Sequence, residues 1–176
     1  LGNSESREYD GAENLTRKTF PNSTGFTYAY DDRNRQIIKQ TFPGNRETLY
    51  SYDPKGLKTA KQDANGNITS FQYDAADRFI AKIDAEGYSA TSTYDGVGNL
   101  TQVTDANGNP ISYSYDELNR LIQTTNALGN STSFTYDGMG NLCQKQKPDG
   151  AVIQYSYDSR NRLSLTRYPD GTSKTY

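Results

Sequence analysis

The chain has no histidine, no tryptophan and a single cysteine. Without imidazole, the commonest general base and the commonest zinc ligand are missing. One thiol, Cys143, leaves no intrachain disulfide and no thiolate metal cluster. It falls where other repeats carry Thr101, Ile122 or Ser164, which marks it as a small half-buried side chain rather than a reactive thiol. Aliphatic residues are scarce too. Leu, Ile, Val and Phe make up 28 of 176 residues, or 16%, below the roughly 20% at which disorder becomes a fair reading. No apolar run is long enough to cross a bilayer, and none reads as a signal-peptide core. Net charge is −2, from 19 basic and 21 acidic residues. No basic excess points to nucleic acid or to a membrane surface.

What the chain does have is 15 tyrosines and 6 phenylalanines. Aromatic rings are good strand formers with a large area to bury, so this composition opposes disorder. The tyrosines are ordered. Tyr-Asp recurs at Tyr9-Asp10, Tyr30-Asp31, Tyr52-Asp53, Tyr73-Asp74, Tyr94-Asp95, Tyr115-Asp116, Tyr136-Asp137 and Tyr157-Asp158, at intervals of 21 residues with one of 22. A fixed short period signals units that bury themselves only against their neighbours.

Each unit reads as two strands and two turns. The fourth residue after the Tyr is Gly or Asn in six of eight units. Asp at the start and a left-handed residue at the end describe a type I turn. A second turn follows half a period later, as in "DANG" at Asp63–Gly66 and Asp105–Gly108 or "KPDG" at Lys147–Gly150. Between turns lie segments rich in Thr, Ser, Tyr and Ile, such as 120–125 and 130–136, with no helical stripe. The fold class is therefore all-β: antiparallel β-hairpin repeats of 21 residues forming a curved sheet. The aromatic two residues before each Tyr shares its face, with Leu100, Leu121, Leu142 and Leu163 expected as partners on adjacent strands.

Parity constrains the turns. An odd period keeps every Tyr on one face if one loop is odd and the other even, or if each repeat carries a bulge. The expectation is a three-residue loop with a bulge after Tyr-Asp and an even loop at the Gly-Asn turn. The second turn of the first unit, at 21–25, reads as different in length and composition.

The pattern Tyr-Asp-x-x-Gly/Asn-Asn/Arg-Leu, followed by a Gly turn and aromatic-x-Tyr-Asp, resembles the YD repeat of the RHS family from Tyr9 to Tyr176. The resemblance implies long β-ribbons that spiral into a hollow shell. Such shells occur in bacterial insecticidal toxin complexes, secreted effectors, wall-associated toxins and animal teneurins. Residues 1–176 then form one YD-repeat segment of about eight repeats, a fragment of a larger β-spiral shell that encloses a C-terminal toxin domain. The implied partners are the rest of that shell and its cargo. The implied location is secreted or cell-surface. No cofactor, metal, catalytic residue, nucleic acid or membrane insertion is expected. A bare fragment would expose sheet edges prone to self-association.

Several motifs have a blander explanation than chemistry. Asp31-Asp32 resembles a carboxylate pair, but Asp recurs at every turn start. "DANGN" resembles half a calcium loop without the remaining carboxylates. "YDPKGL" at 52–57 resembles the Asp-Pro-x-Gly-Leu signature near the end of bacterial RHS cores, where self-cleavage occurs, but five more repeats follow it; a turn variant is the expectation. A second functional reading is adhesion or carbohydrate binding, with Tyr113 and Tyr155 as glycan-stacking rings.

Overall fold

A computed structural model describes residues 4–176. These residues form seventeen strands and no helix. They divide into two compact units, the first ending at Ser89 and the second spanning Ala90–Tyr176. The first unit holds β1 (Ser6–Tyr9), β2 (Leu15–Thr19), β3 (Gly25–Tyr30), β4 (Gln36–Phe42), β5 (Glu47–Tyr52), β6 (Lys58–Gln62), β7 (Ile68–Tyr73) and β8 (Phe79–Ile83). The second is built from β9 (Ser89–Tyr94), β10 (Leu100–Thr104), β11 (Pro110–Tyr115), β12 (Leu121–Thr125), β13 (Ser131–Tyr136), β14 (Leu142–Gln146), β15 (Val152–Tyr157), β16 (Leu163–Arg167) and β17 (Ser173–Thr175). Within each unit every strand pairs antiparallel with the next in sequence. The segments read from sequence at 120–125 and 130–136 correspond to β12 and β13.

The two turns of a repeat share one geometry, contrary to the expected odd–even pair. After Tyr115, Asp116 N–H donates to Arg120 C=O at 3.0 Å and Asn119 N–H donates to Asp116 C=O at 2.9 Å. At the Gly turn, Asp105 N–H donates to Asn109 C=O at 3.1 Å and Gly108 N–H to Asp105 C=O at 3.0 Å. Both loops have three residues closed by a left-handed one, Asn119 at φ 60° and Gly108 at φ 85°. Parity is restored by a bulge in each repeat. Ser114 faces Gln123 but Tyr115 faces Leu121, so Ile122 is the extra residue. The same step recurs before Tyr30, Tyr52, Tyr73, Tyr136 and Tyr157. Within each unit the Tyr of every Tyr-Asp pair thus keeps one face, as the repeat requires.

One further expectation changes, and that of the leucines as partners on adjacent strands holds. The turn at 21–25 has the common geometry: Phe20 N–H donates to Thr24 C=O, and Ser23 takes φ 64°. The additional residue of the 22-residue interval lies instead in the next Gly-type loop, where Thr41 N–H reaches Arg46 C=O. The leucines pair with the Tyr of the Tyr-Asp dipeptide itself, as in Tyr115↔Leu121 and Tyr136↔Leu142. The aromatic residues two before the Tyr face Lys or Thr, as in Tyr50↔Lys61 and Tyr113↔Thr124, while Ser92 faces Val103.

The sheet is one layer thick within each unit, and it has no conventional core. Ala81 and Thr166 are the most buried side chains among the described residues, at 6% and 4% exposure. The aromatic rows are half-buried. Neighbouring repeats are also staggered. Tyr113 lies opposite Thr124 and Thr124 opposite Thr132, two residues short of Phe134, the equivalent of Tyr113 one repeat on.

Candidate functional site

In each unit the Tyr-Asp turns form one rim and the Gly turns the other. At the Tyr-Asp rim the Asp carboxylate organises its own loop. One oxygen of Asp116 accepts from the backbone N–H of Leu118 at 3.0 Å and of Arg120 at 2.9 Å. The other accepts from Arg120 Nε at 2.7 Å. Asp158 repeats the arrangement with Arg162, and Asp95 and Asp137 do so with the amides of Asn99 and Asn141. Backbone hydrogen bonds from residues 120 and 162, joined by the guanidinium contacts, hold Asp116 and Asp158 below the ordinary value of 3.8. The Asn side chains do the same for Asp95 and Asp137. Each carboxylate is already committed to its turn, so these residues form no acid–base pair. The turn at Asp53–Leu57 has the common form as well, with Asp53 N–H donating to Leu57 C=O at 2.9 Å and Gly56 at φ 99°.

The Tyr hydroxyl performs a second task. The β12–β13 ladder stops at Gln123↔Ser133, so the strands part towards the Tyr-Asp rim. Tyr136 spans the opening and donates to Leu121 C=O at 2.8 Å. Tyr30, Tyr52, Tyr73, Tyr115 and Tyr157 reach back in the same way to Leu15, Gln36, Lys58, Leu100 and Leu142. A carbonyl left without a ladder partner is satisfied by the next repeat's phenol. Burial pushes the phenols of Tyr30, Tyr52, Tyr115 and Tyr157 above their ordinary value of 10.0.

The residue after the left-handed position, which the sequence reading passed over, links successive turns. Arg120 lies 4.8 Å over the Tyr136 ring and donates to Asp137 C=O at 3.4 Å. Arg35 does the same with Tyr52 and Asp53 C=O. Where this residue is Asn, its amide donates to the Asn of the next turn: Asn14 to Asn34, Asn99 to Asn119 and Asn141 to Asn161.

At the Gly rim the first junction is closed by Phe42, which pairs with Gly25 and lies 4.5 Å from the Arg17 guanidinium. Further along the described residues the ladders part there too, and openings remain as clefts. One of about 420 Å³ lies between Asp105–Ile111 and Asn126–Leu128. Another of about 310 Å³ lies between Gly129–Ser133 and Gln146–Gly150. Leu128 stands 85% exposed at the mouth of the first. The "DANGN" oxygens are spent on the turn: Asp105 accepts from the backbone N–H groups of Asn107 and Asn109 and from the Asn109 amide. Among the described residues no cluster of acidic or sulfur side chains is placed to hold a metal.

The aromatic face is also basic in the first unit. Lys18, Lys39, Lys61 and Lys82 oppose Phe26, Tyr28, Tyr50 and Phe71. Lys39 Nζ sits 3.9 Å from the Phe26 centroid and Lys58 Nζ 4.8 Å from that of Tyr50. Ammonium groups therefore cover several ring faces. The proposed glycan-stacking residues differ: Tyr113 and Tyr155 are half-buried and oppose Thr124 and Thr166. Cys143 lies in β14, half-buried, its Sγ 3.2 Å from Thr135 C=O.

The protein-family model described as RHS Repeat matches residues 30–68, 52–91, 94–131, 115–152 and 144–173. No curated protein matches the chain. Among solved structures, that of TcdB2-TccC3-TEV superimposes with a TM-score of 0.72 at 19% identity, over 91% of this chain and 10% of that one. Those of TcdB2-TccC3-Cdc42 and TcdB2-TccC3 give 0.67 and 0.66 at 16% identity, each over 93% of this chain and 12% of the other. The chain thus spans about a tenth of the length of the solved chains it resembles, and the likeness is one of fold.

Proposed function

The chain belongs to the RHS repeat family, and from that membership we propose that it is a non-enzymatic wall segment of a larger, curved β-shell that encloses a C-terminal toxin domain. The observation that carries this reading is where the side chains are spent. The eight Tyr-Asp pairs serve turns and neighbour contacts, and their carboxylates are engaged by their own loops. A sheet one layer thick, with half-buried rings on one face and Ser, Thr and Gln on the other, suits a wall better than a globular domain. The fold likeness to TcdB2-TccC3 chains many times longer supports a place within a larger sheet. Its partners are then the remainder of that sheet and the enclosed polypeptide, and its place of action is outside the producing cell.

Limited proteolysis of the parent polypeptide tests the proposal. The segment C-terminal to the repeats is expected to resist protease while the array is intact and to become sensitive once urea opens it. Equal sensitivity in both conditions would exclude enclosure.

A second reading, carbohydrate binding, is favoured by Tyr113 and Tyr155 alone, because both face Thr where other rings lie under Lys. It predicts binding on a glycan array that Tyr113→Ala abolishes without loss of strand signal. Silence on the array removes it.

A further inference from the structure

The links along the Tyr-Asp rim follow a rule that the 21-residue period does not require. Two positions matter: the left-handed residue, fourth after the Tyr, and the one that follows it. In sequence they read Glu13-Asn14, Asn34-Arg35, Gly56-Leu57, Asp77-Arg78, Gly98-Asn99, Asn119-Arg120, Gly140-Asn141 and Asn161-Arg162. Wherever the second position is Arg and another turn follows, that turn carries Gly at the left-handed position: Gly56, Gly98 and Gly140. Wherever it is Asn, the next turn carries Asn: Asn34, Asn119 and Asn161.

The contacts explain both halves. The Asn amide needs an acceptor on the next turn, and Asn99 finds Asn119 Oδ1 at 2.9 Å. The guanidinium instead lies across the next turn to reach the Asp carbonyl and the Tyr ring. A Cβ placed on Gly56 would sit 3.6 Å from Arg35 Nη1, an ordinary contact, and one on Gly140 beside Arg120 would meet nothing within 4 Å, so glycine leaves the guanidinium its room without being forced by a clash at Cβ.

Duplication of a two-repeat cassette would produce the same alternation without any coupling. The one departure argues against that. Leu57 has replaced the amide donor, the next left-handed residue is Asp77 rather than Asn, and Lys55 Nζ meets Asp77 Oδ1 at 2.6 Å. Donor and acceptor have changed together, and the junction keeps a link.

We propose that these two positions form a neighbour-selecting code: an Arg turn accepts a Gly turn beside it, and an Asn turn accepts an Asn turn. The code fixes which repeat packs against which, and so the register of the whole row, whatever the sheet encloses.

A double-mutant cycle in the intact chain tests the code. Asn99→Arg alone and Asn119→Gly alone are each expected to lower Tm by about 2–4 °C, the scale set by one lost link in a chain of this length. The combined variant recreates the Arg–Gly junction and is expected to return to within about a degree of the parent. If the combined shift equals the sum of the single shifts, the positions are independent and the code is wrong. The cycle Asn141→Arg with Asn161→Gly repeats the test at a second junction, should either first variant fail to fold. Propensity effects of Gly cancel within each cycle, so a merely structural preference for one residue would leave the coupling at zero.

Discussion

The two rims of the sheet use one turn and differ in what lies between turns. Both have three-residue loops, apart from the four-residue loop of Phe42–Asn45, and a left-handed closing residue. At the Tyr-Asp rim a phenol, a guanidinium or an amide then spans each opening in the ladder. At the Gly rim of the second unit openings stay as clefts. Turn chemistry alone therefore does not fasten one repeat to the next. The Tyr recurs because it closes a gap that the Gly rim leaves open.

Removing the bridge should expose the difference most strongly. Tyr115→Ala forfeits a half-buried ring and its hydroxyl contact with Leu100 C=O, and is expected to cost about 2–3 kcal/mol. Leu128→Ala, at the Gly rim and 85% exposed, should stay within about 0.5 kcal/mol of the parent. Urea midpoints at constant m-value compare the two. Equal losses would erase the distinction between rims.

Tyr115→Phe isolates the hydroxyl. The ring stays, the Leu100 carbonyl loses its donor, and about 1 kcal/mol should be lost. No loss would mean that packing alone holds the junction.

Titration probes both groups on one rim. Asp95, Asp116, Asp137 and Asp158 lie below 3.8 in the fold, so their stabilisation is present above that value and falls away as pH drops through their lowered values. Tyr30, Tyr52, Tyr115 and Tyr157 lie above 10.0, so theirs is complete below that value and is lost as pH rises past it. Thermal stability should therefore form a plateau between about pH 4 and pH 10. A Tyr115→Phe variant should flatten the alkaline limb slightly and leave the acid limb unchanged. The smallest effect is expected at Lys55–Asp77, an exposed pair. Lys55→Met should matter only at low salt, because ions screen such contacts.

The repeat, the strands and the left-handed positions could be read from the sequence because each leaves a mark in residue type. Gly or Asn announces positive φ, whereas Glu13 and Ser23, at φ 64°, and Asp77, at φ 62°, hide it. The loop count at the Gly turn and the bulge could not be separated. Either device turns an odd period into a single aromatic face, and a bulged residue such as Ile122 looks like any other strand residue. The target of the Tyr hydroxyl was equally hidden, since a backbone carbonyl carries no signature. The alternation of Asn and Arg was in plain view, but it acquires meaning only once the distances show which turn each side chain reaches.

The stagger has a mechanical consequence. Crossing two strands displaces equivalent residues by two along the chain, or about 7 Å of slide for about 10 Å of sideways travel. Strands so offset lean about 35° from the perpendicular to their rim, close to the tilt of barrel staves. Each hairpin therefore slants within its unit, and its Tyr-Asp turn is tied to the next along the rim. Tension along that rim passes through phenols and guanidiniums, and not along the strands.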